Sequence, residues 1–201
     1  MNLWILNHYA IVPDMPGGTR HYDFSKELIR RGHKVTIFTS SFHYIQHKEL
    51  RLKRGEKYKI EGVNGINFVW LKTFPYQKND WRRVINMISY MWRSYWLGKR
   101  ITKINKNIKK PDIIIGSSVH LLAVLSAYWL SKFYKSKFIM EVRDLWPQTL
   151  IDFKKFKKNN IVIKVLKLLE QFLYKKAQKI IVLLPKAEDY IMSLKINKNT
   201  Y

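Results

Sequence analysis

Three short stretches hold the residues whose types and spacing could do chemistry. The first is Asp14-Met15-Pro16-Gly17-Gly18-Thr19-Arg20-His21. Gly17 and Gly18 permit a tight turn and a close backbone approach to a ligand. A helix starting there would aim its free N–H groups at the same spot, which suits an anion. An ordinary connection fits equally well, because Gly17-Gly18 is neither a dinucleotide fingerprint nor a P-loop. The second stretch is Gly116-Ser117-Ser118-Val119-His120. An imidazole there could orient or deprotonate a hydroxyl; the plainer alternative is a helix-start histidine bonded to nearby backbone. The third is Glu141-Val142-Arg143-Asp144-Leu145-Trp146-Pro147. Asp144 could receive a substrate hydroxyl and Arg143 a phosphate, or the two could form a fixed ion pair. Trp146 offers a face for sugar stacking. His120 and Asp144 are thus the catalytic candidates. Gly17, Gly18, Arg20, Ser117, Ser118, Arg143 and Trp146 are the candidates for substrate binding.

The elements that would position these residues alternate in type. Apolar, β-branched-rich runs predict strands near 3–6, 35–39, 66–71, 113–116, 138–141 and 180–183. Helical patterns lie between most of them, at 22–31, 80–109, 121–130 and from 161 to 173, with a last helix running to about Leu194. Gly32 falls where a C′ glycine ends a helix. The pattern Ile66, Phe68, Trp70 predicts a half-buried strand, and the polar, basic stretch 40–58 predicts an exposed excursion. Strands alternating with helices argue for a single α/β domain over 1–201: a mainly parallel, Rossmann-like sheet with helices on both faces. All three chemical stretches follow strands, so they converge at one edge of such a sheet, where open α/β folds bind ligands.

Composition narrows the partners. Lysine and arginine total 38 against 14 aspartates and glutamates, a net charge of +24. Nucleic acid, anionic lipid and phosphorylated substrates are all compatible with that field. With no cysteine, disulfides and thiolate chemistry are excluded. No signal peptide is expected, because Leu3–Leu6 is too short an apolar core, and no apolar run reaches the 18 residues of a spanning helix. Neither metal nor other cofactor is expected: His43 and His47 share a helical spacing but lack a third ligand. No G-x-S-x-G elbow occurs.

The segment 81–109 combines an apolar stripe (Val84, Ile88, Met91, Tyr95, Ile101) with further aromatic and basic residues. Arg82, Arg83, Trp92, Arg93, Tyr95, Trp96, Lys99 and Arg100 are the candidates for contact with an anionic membrane surface, to which basic stretches at 51–59 and 154–158 could add. A buried helix with a basic outer side is the alternative. Nucleic-acid binding could use the same charge, but no known binding motif supports it.

Four stretches then carry a resemblance: Pro16–His21 with Leu28–Val35; "DIIIGSSVHL" from Asp112; "EVRDLWP" from Glu141; and "LEQFLYKKAQKIIV" from Leu169. Together the chain resembles the N-terminal domain of family 4 glycosyltransferases with the GT-B fold, and more narrowly the capsule and O-antigen amino-sugar transferases of the WbuB type. The resemblance implies an acceptor-side half that works with a nucleotide-sugar donor only through a C-terminal donor-binding domain, which is absent here. It implies a lipid-linked saccharide acceptor, peripheral location at the cytoplasmic face of the cell membrane, and no protein nucleophile. The alternatives are a basic nucleic-acid-binding module or a non-catalytic membrane-surface protein.

Overall fold

The computed structural model describes residues 1–152, 160–185, 187–194 and 196. Its centre is β1 (Asn2–Leu6), flanked by β2 (Lys34–Ser40) and, on the other side, by β7 (Ile113–Ser117). Ile5 lies opposite both Ile37 and Ile115 in parallel register. β6 (Ile66–Leu71) continues the sheet beyond β2, and β8 (Lys137–Val142) and β9 (Lys179–Val182) continue it beyond β7. The parallel strands thus run β6-β2-β1-β7-β8-β9, the order of a doubly wound fold with its reversal between β1 and β7. Each of the six expected strands is present.

Both faces of this sheet are covered, which is why β1 reads as an unbroken apolar run rather than an alternation. Leu3 and Ile5 pack with Val35, Ile37 and Phe68 against α1 (Arg20–Arg30). Trp4 and Leu6 point the other way. They join Tyr90 of α2 (Trp81–Ile104), Leu130 of α3 (Leu121–Tyr134) and Leu173 of α5 (Ile161–Lys176). Gly32 closes α1 with φ +79°, the left-handed geometry expected of it. The short α4 (Gln148–Asp152) and α6 (Ala187–Ser193) complete the helices.

The structure corrects the sequence reading at four places. β5 (Tyr58–Val63) pairs antiparallel with β6 as an edge strand. The two join through Asn64 (φ 48°) and Gly65 (φ 82°), the Asn-Gly turn that suits a two-residue hairpin. β6 is not half-buried, for Ile66, Phe68, Val69, Trp70 and Leu71 are all buried, with a helix on either face. The stretch 40–58 is not wholly exposed: Ser40, Ser41, Phe42 and His43 are buried, and Phe42–His43 (β3) pairs with Lys48–Glu49 (β4). α2 stops at Ile104, where Asn105 turns extended. The basic stretch 154–158 and the tail 197–201 lie outside the described residues.

Candidate functional site

The chain leaving β1 at the strand-order reversal reads Asn7-His8-Tyr9, three polar residues directly after a buried strand. Asn7 bridges the reversal. Its amide nitrogen reaches His21 Nδ1 at 3.0 Å and donates to Ser117 Oγ at 3.2 Å, while its carbonyl accepts from the Tyr9 amide. His8 is fully buried, with its ring stacked between Tyr9 and Tyr90. His8 Nδ1 lies 2.7 Å from Nε2 of His120. His120 caps α3 by accepting the Ala123 amide at Nδ1. That bond leaves the proton on Nε2, which donates to His8. Burial, then the charge of Arg83, drives the His120 pKa down to about 3. Burial, then His120 and Arg83, lowers His8 as well. Both rings are neutral at ordinary pH.

His120 is therefore a cap and a support beneath Tyr9, and it does not line the cleft. Ser117 and Ser118 are also fully buried. Ser118 Oγ accepts from the Arg143 amide and donates to the Asp144 carbonyl, which ties the end of β7 to the end of β8. These three candidates hold the site together from below. The plainer reading of His120, a bonded helix-start histidine, describes its geometry.

Glu141, which ends the apolar run of β8, is the centre of a second buried cluster. Its Oε2 lies 2.7 Å from His21 Nε2, and its Oε1 accepts from Arg20 Nη2 at 3.0 Å. Burial alone would push its carboxyl up. Hydrogen bonds from His21, Ser117 and Arg20 outweigh that and hold it at about 2. Arg20 is thereby fixed where α1 begins.

Above these clusters lies a cavity of about 340 Å³. Tyr9 and Val119 form its floor at the reversal, with Gly18 and Tyr44 on one side. Arg143, Asp144 and Trp146 close the other side, Thr149 and Leu150 extend it, and Arg83 enters from α2. Of the sequence candidates, the cavity gathers Gly18, Arg143, Asp144 and Trp146. Gly17, at φ +132°, makes the adjoining turn, where a Cβ would fall 2.8 Å from Ile11 Cδ1. Asp144, exposed at the rim but partly desolvated there, is held above the usual carboxylate range by that desolvation, against the pull of Arg143 and Arg83. The peptide bond between Trp146 and Pro147 is cis.

Sequence reasoning missed Tyr9, Tyr44 and the part played by Glu141, and it put Arg83 on the outer face. Arg83 is a correction: it turns into the cavity, one residue along the helix from Arg82, which is exposed. The polar triplet after β1 and the carboxylate ending an apolar run were the available signals.

The outer face of α2 is apolar and open. Trp81, Val84, Ile88, Trp92 and Trp96 are all exposed, at i, i+3, i+4 spacing. Met91 and Ile101 are buried with Met87 and Tyr90. The single stripe drawn from sequence therefore divides into an inner and an outer row. Tyr95 is half-buried, packed beside Trp96 and Trp129 of α3. Arg93 and Arg100 are exposed. Lys99 lies over three rings, 4.8 Å from the centre of Trp96, 5.0 Å from Phe133 and 5.3 Å from Tyr95. α5 continues the layer with Val165, Leu168 and Phe172 exposed, and Phe172 meets Tyr128 of α3 edge-on. A cavity of about 360 Å³ at the end of the layer is lined by Lys99, Lys103, Lys110 and Lys135 and by no carboxylate. Arg51, by contrast, does not extend this face. It lies over Trp70 in the core on the α1 side of the sheet. No helix among the described residues is long and apolar enough to cross a membrane.

The fold is that of the N-terminal half of the GT-B plan. Crystal structures of UGT89C1 from Arabidopsis thaliana share it. The structure complexed with UDP superposes with a TM-score of 0.56 at 11% identity, over 100% of this chain and 50% of that one. The structure without a named ligand gives 0.54 at 12% identity over 100% and 48%, and the quercetin complex 0.53 at 11% over 100% and 48%. The chain thus spans about half the length of these structures and matches the N-terminal half of their fold. Among curated proteins nothing matches. The sequence profile of the glycosyl transferase 4-like domain matches residues 17–200, and the chain belongs to that family.

Proposed function

We propose that this chain is the acceptor-side half of a glycosyltransferase that transfers a sugar from a nucleotide-sugar to a lipid-linked saccharide in surface-polysaccharide synthesis. The narrower type is the WbuB-like amino-sugar transferase, whose "EVRDLWP" stretch here forms the β8 wall of the cleft. The observation that carries the lipid-linked acceptor is the first turn of α2. Within it Arg83 enters the cleft, while Trp81, Arg82 and Val84 begin the exposed aromatic and basic face. A molecule whose tail lies in a bilayer touching that face would present its head at the cleft.

The outer face suits an anionic membrane surface. Aromatic side chains settle at the interface, and basic ones beside them attract anionic lipid. The chain would act peripherally at the inner face of the membrane. The donor would be bound by a second, C-terminal domain, so transfer would require both halves.

The test is transfer of a labelled sugar from a nucleotide-sugar to a polyprenyl-diphosphate-linked saccharide. The chain alone is compared with the chain joined to a matching donor-binding half. Transfer by the joined protein and none by the chain alone is the expected result. Transfer by neither, with both folded, would overturn the reading.

A further inference from the structure

Eight buried polar side-chain atoms have no hydrogen-bond partner among the described residues, and three of them belong to residues of the cleft: Tyr9 Oη, Arg83 Nε and Trp146 Nε1. Each carries a hydrogen that it can donate. Orphaned buried donors are costly, and native structures rarely hold several in one place. Tyr9 Oη lies beside Arg83 and Tyr76. Two guanidiniums line the same cavity. Neither Arg83 nor Arg143 has an ion pair within 4 Å among the described residues, in contrast to Arg20, Arg30, Arg31 and Arg51. The one carboxylate lining the cavity, Asp144, is exposed at the rim. The cavity is thus rich in donors and positive charge, and poor in acceptors.

We propose that this cavity is an anion site in which Arg83 and Arg143 hold a phosphate or diphosphate group, with Tyr9 and Trp146 donating to its oxygens. The inference rests on the reading of the cleft as a transferase cleft. It adds that this half binds the anion by itself, with residues of α2 and of the loops after β1 and β8 and without a second domain. A planar guanidinium matches phosphate geometry in two hydrogen bonds. Two sources carry this chemistry: the diphosphate of a nucleotide-sugar and the diphosphate that links an acceptor to its lipid.

The experiment is calorimetric titration of the whole chain with inorganic pyrophosphate, followed by UDP and by geranylgeranyl diphosphate. Saturable binding of pyrophosphate is expected. Arg83→Gln and Arg143→Gln should each weaken it about tenfold, the loss of a charge-assisted hydrogen bond. Lys34→Gln with Lys137→Gln removes two charges where β2 and β8 begin, at the opposite edge of the sheet. That variant should bind within about twofold of the parent if the site is local. Should Arg83→Gln fail to fold, Arg83→Lys keeps the charge but loses the fork. A severalfold loss is then expected from it. Preference for UDP assigns the site to the donor, and preference for geranylgeranyl diphosphate assigns it to the acceptor. Absence of saturable binding overturns the proposal. So does an equal loss in the Lys34/Lys137 variant, because binding would then reflect overall charge. The readout needs no transfer, so a failed transfer assay and a failed titration are separate results.

Discussion

The two faces of the sheet differ in how they pair positive charge. On the α1 side cations meet carboxylates as well as rings: Arg30 and Arg31 meet Glu27, Arg51 meets Asp14, and Lys59 meets Glu61, while Arg51 also lies over Trp70 and Lys26 over Tyr22. The large aromatic there, Trp70, is wholly buried and donates its indole N–H to Glu61. On the α2–α3–α5 side cations meet rings. Lys99 covers Trp96, Tyr95 and Phe133, and Lys176 lies 5.7 Å from the centre of Phe172. Beyond the first turn of α2, no residue of these three helices makes an ion pair among the described residues. The net charge of +24 is therefore uneven in its availability. One face spends its cations within the fold; the other presents them, beside exposed tryptophans, to whatever lies outside.

The largest expected effect tests that difference directly. Arg82, Arg93, Lys99 and Arg100 changed together to glutamine should abolish flotation with anionic vesicles. At about 1 kcal/mol per basic residue near the surface, the loss is roughly a thousandfold in affinity. Lys26, Arg30, Arg31 and Lys34 changed in the same way should leave flotation within about threefold of the parent. This control removes as much charge, but from the other face. Equal losses in the two variants would show that the faces do not differ for lipid. Arg83 is left out of both sets because it belongs to the cleft.

The next effect concerns two buried carboxylates, one on each side of the comparison. Glu141 is held at about 2 by its partners, whereas burial lifts Glu170 of α5 to about 7, with only partial relief from Tyr190 and Tyr174. Glu141→Ala would leave His21 and Arg20 without their carboxylate and should cost about 3 kcal/mol by urea unfolding. The signs of the pH dependence are opposite. The folded pKa of Glu141 is depressed, so its stabilisation is complete above the unfolded value near 4.5 and is lost as pH falls toward 2. The folded pKa of Glu170 is raised, so stability falls as pH rises from 4.5 to 7. Glu170→Gln should therefore match the parent at pH 4 and exceed it at pH 8, on the order of 2 kcal/mol. A variant no more stable than the parent at pH 8 would place an unseen cation beside Glu170.

The core of this architecture was legible because buried parallel strands are continuous apolar runs, and Leu3–Leu6, Ile113–Ile115 and Phe138–Met140 are of that kind. The edge was not. Tyr58–Val63 carries Lys59, Glu61 and Gly62, polar or weakly β-forming residues that an antiparallel edge tolerates, so the pattern gives no separate strand there. In the site, strand ends were legible but side-chain direction was not. His120 lies one layer below the cavity because its ring is used by Ala123 and His8. Arg82 and Arg83 differ by one step of about 100° around a helix, enough to separate the outer face from the cleft. Only the packing of Met87, Tyr90 and Met91 on the sheet fixes which is which. Glu141 was visible as a letter in a motif, while its partners Arg20 and His21 come from far earlier in the chain and meet it only in the fold.

The smallest expected effect sets a paired arginine against an unpaired one. Arg51 is only 17% exposed in its side chain and bonds Asp14, while its guanidinium lies 5.0 Å from the centre of the Trp70 ring. Arg93 sits exposed on the outer row of α2 with no ion pair among the described residues. Arg51→Ala removes the stem that covers an aromatic as well as the charge, and a desolvated cation–π contact contributes about 1–2 kcal/mol. Its cost should be of that size. Arg93→Ala loses only surface solvation and should stay within about 0.5 kcal/mol of the parent, while weakening vesicle binding about fivefold. Stability and lipid affinity would then separate: Arg51 matters to the first and Arg93 to the second. If Arg93→Ala cost as much stability as Arg51→Ala, the outer row would be part of the folded core's support, and the open face could no longer be read as a surface kept free for lipid.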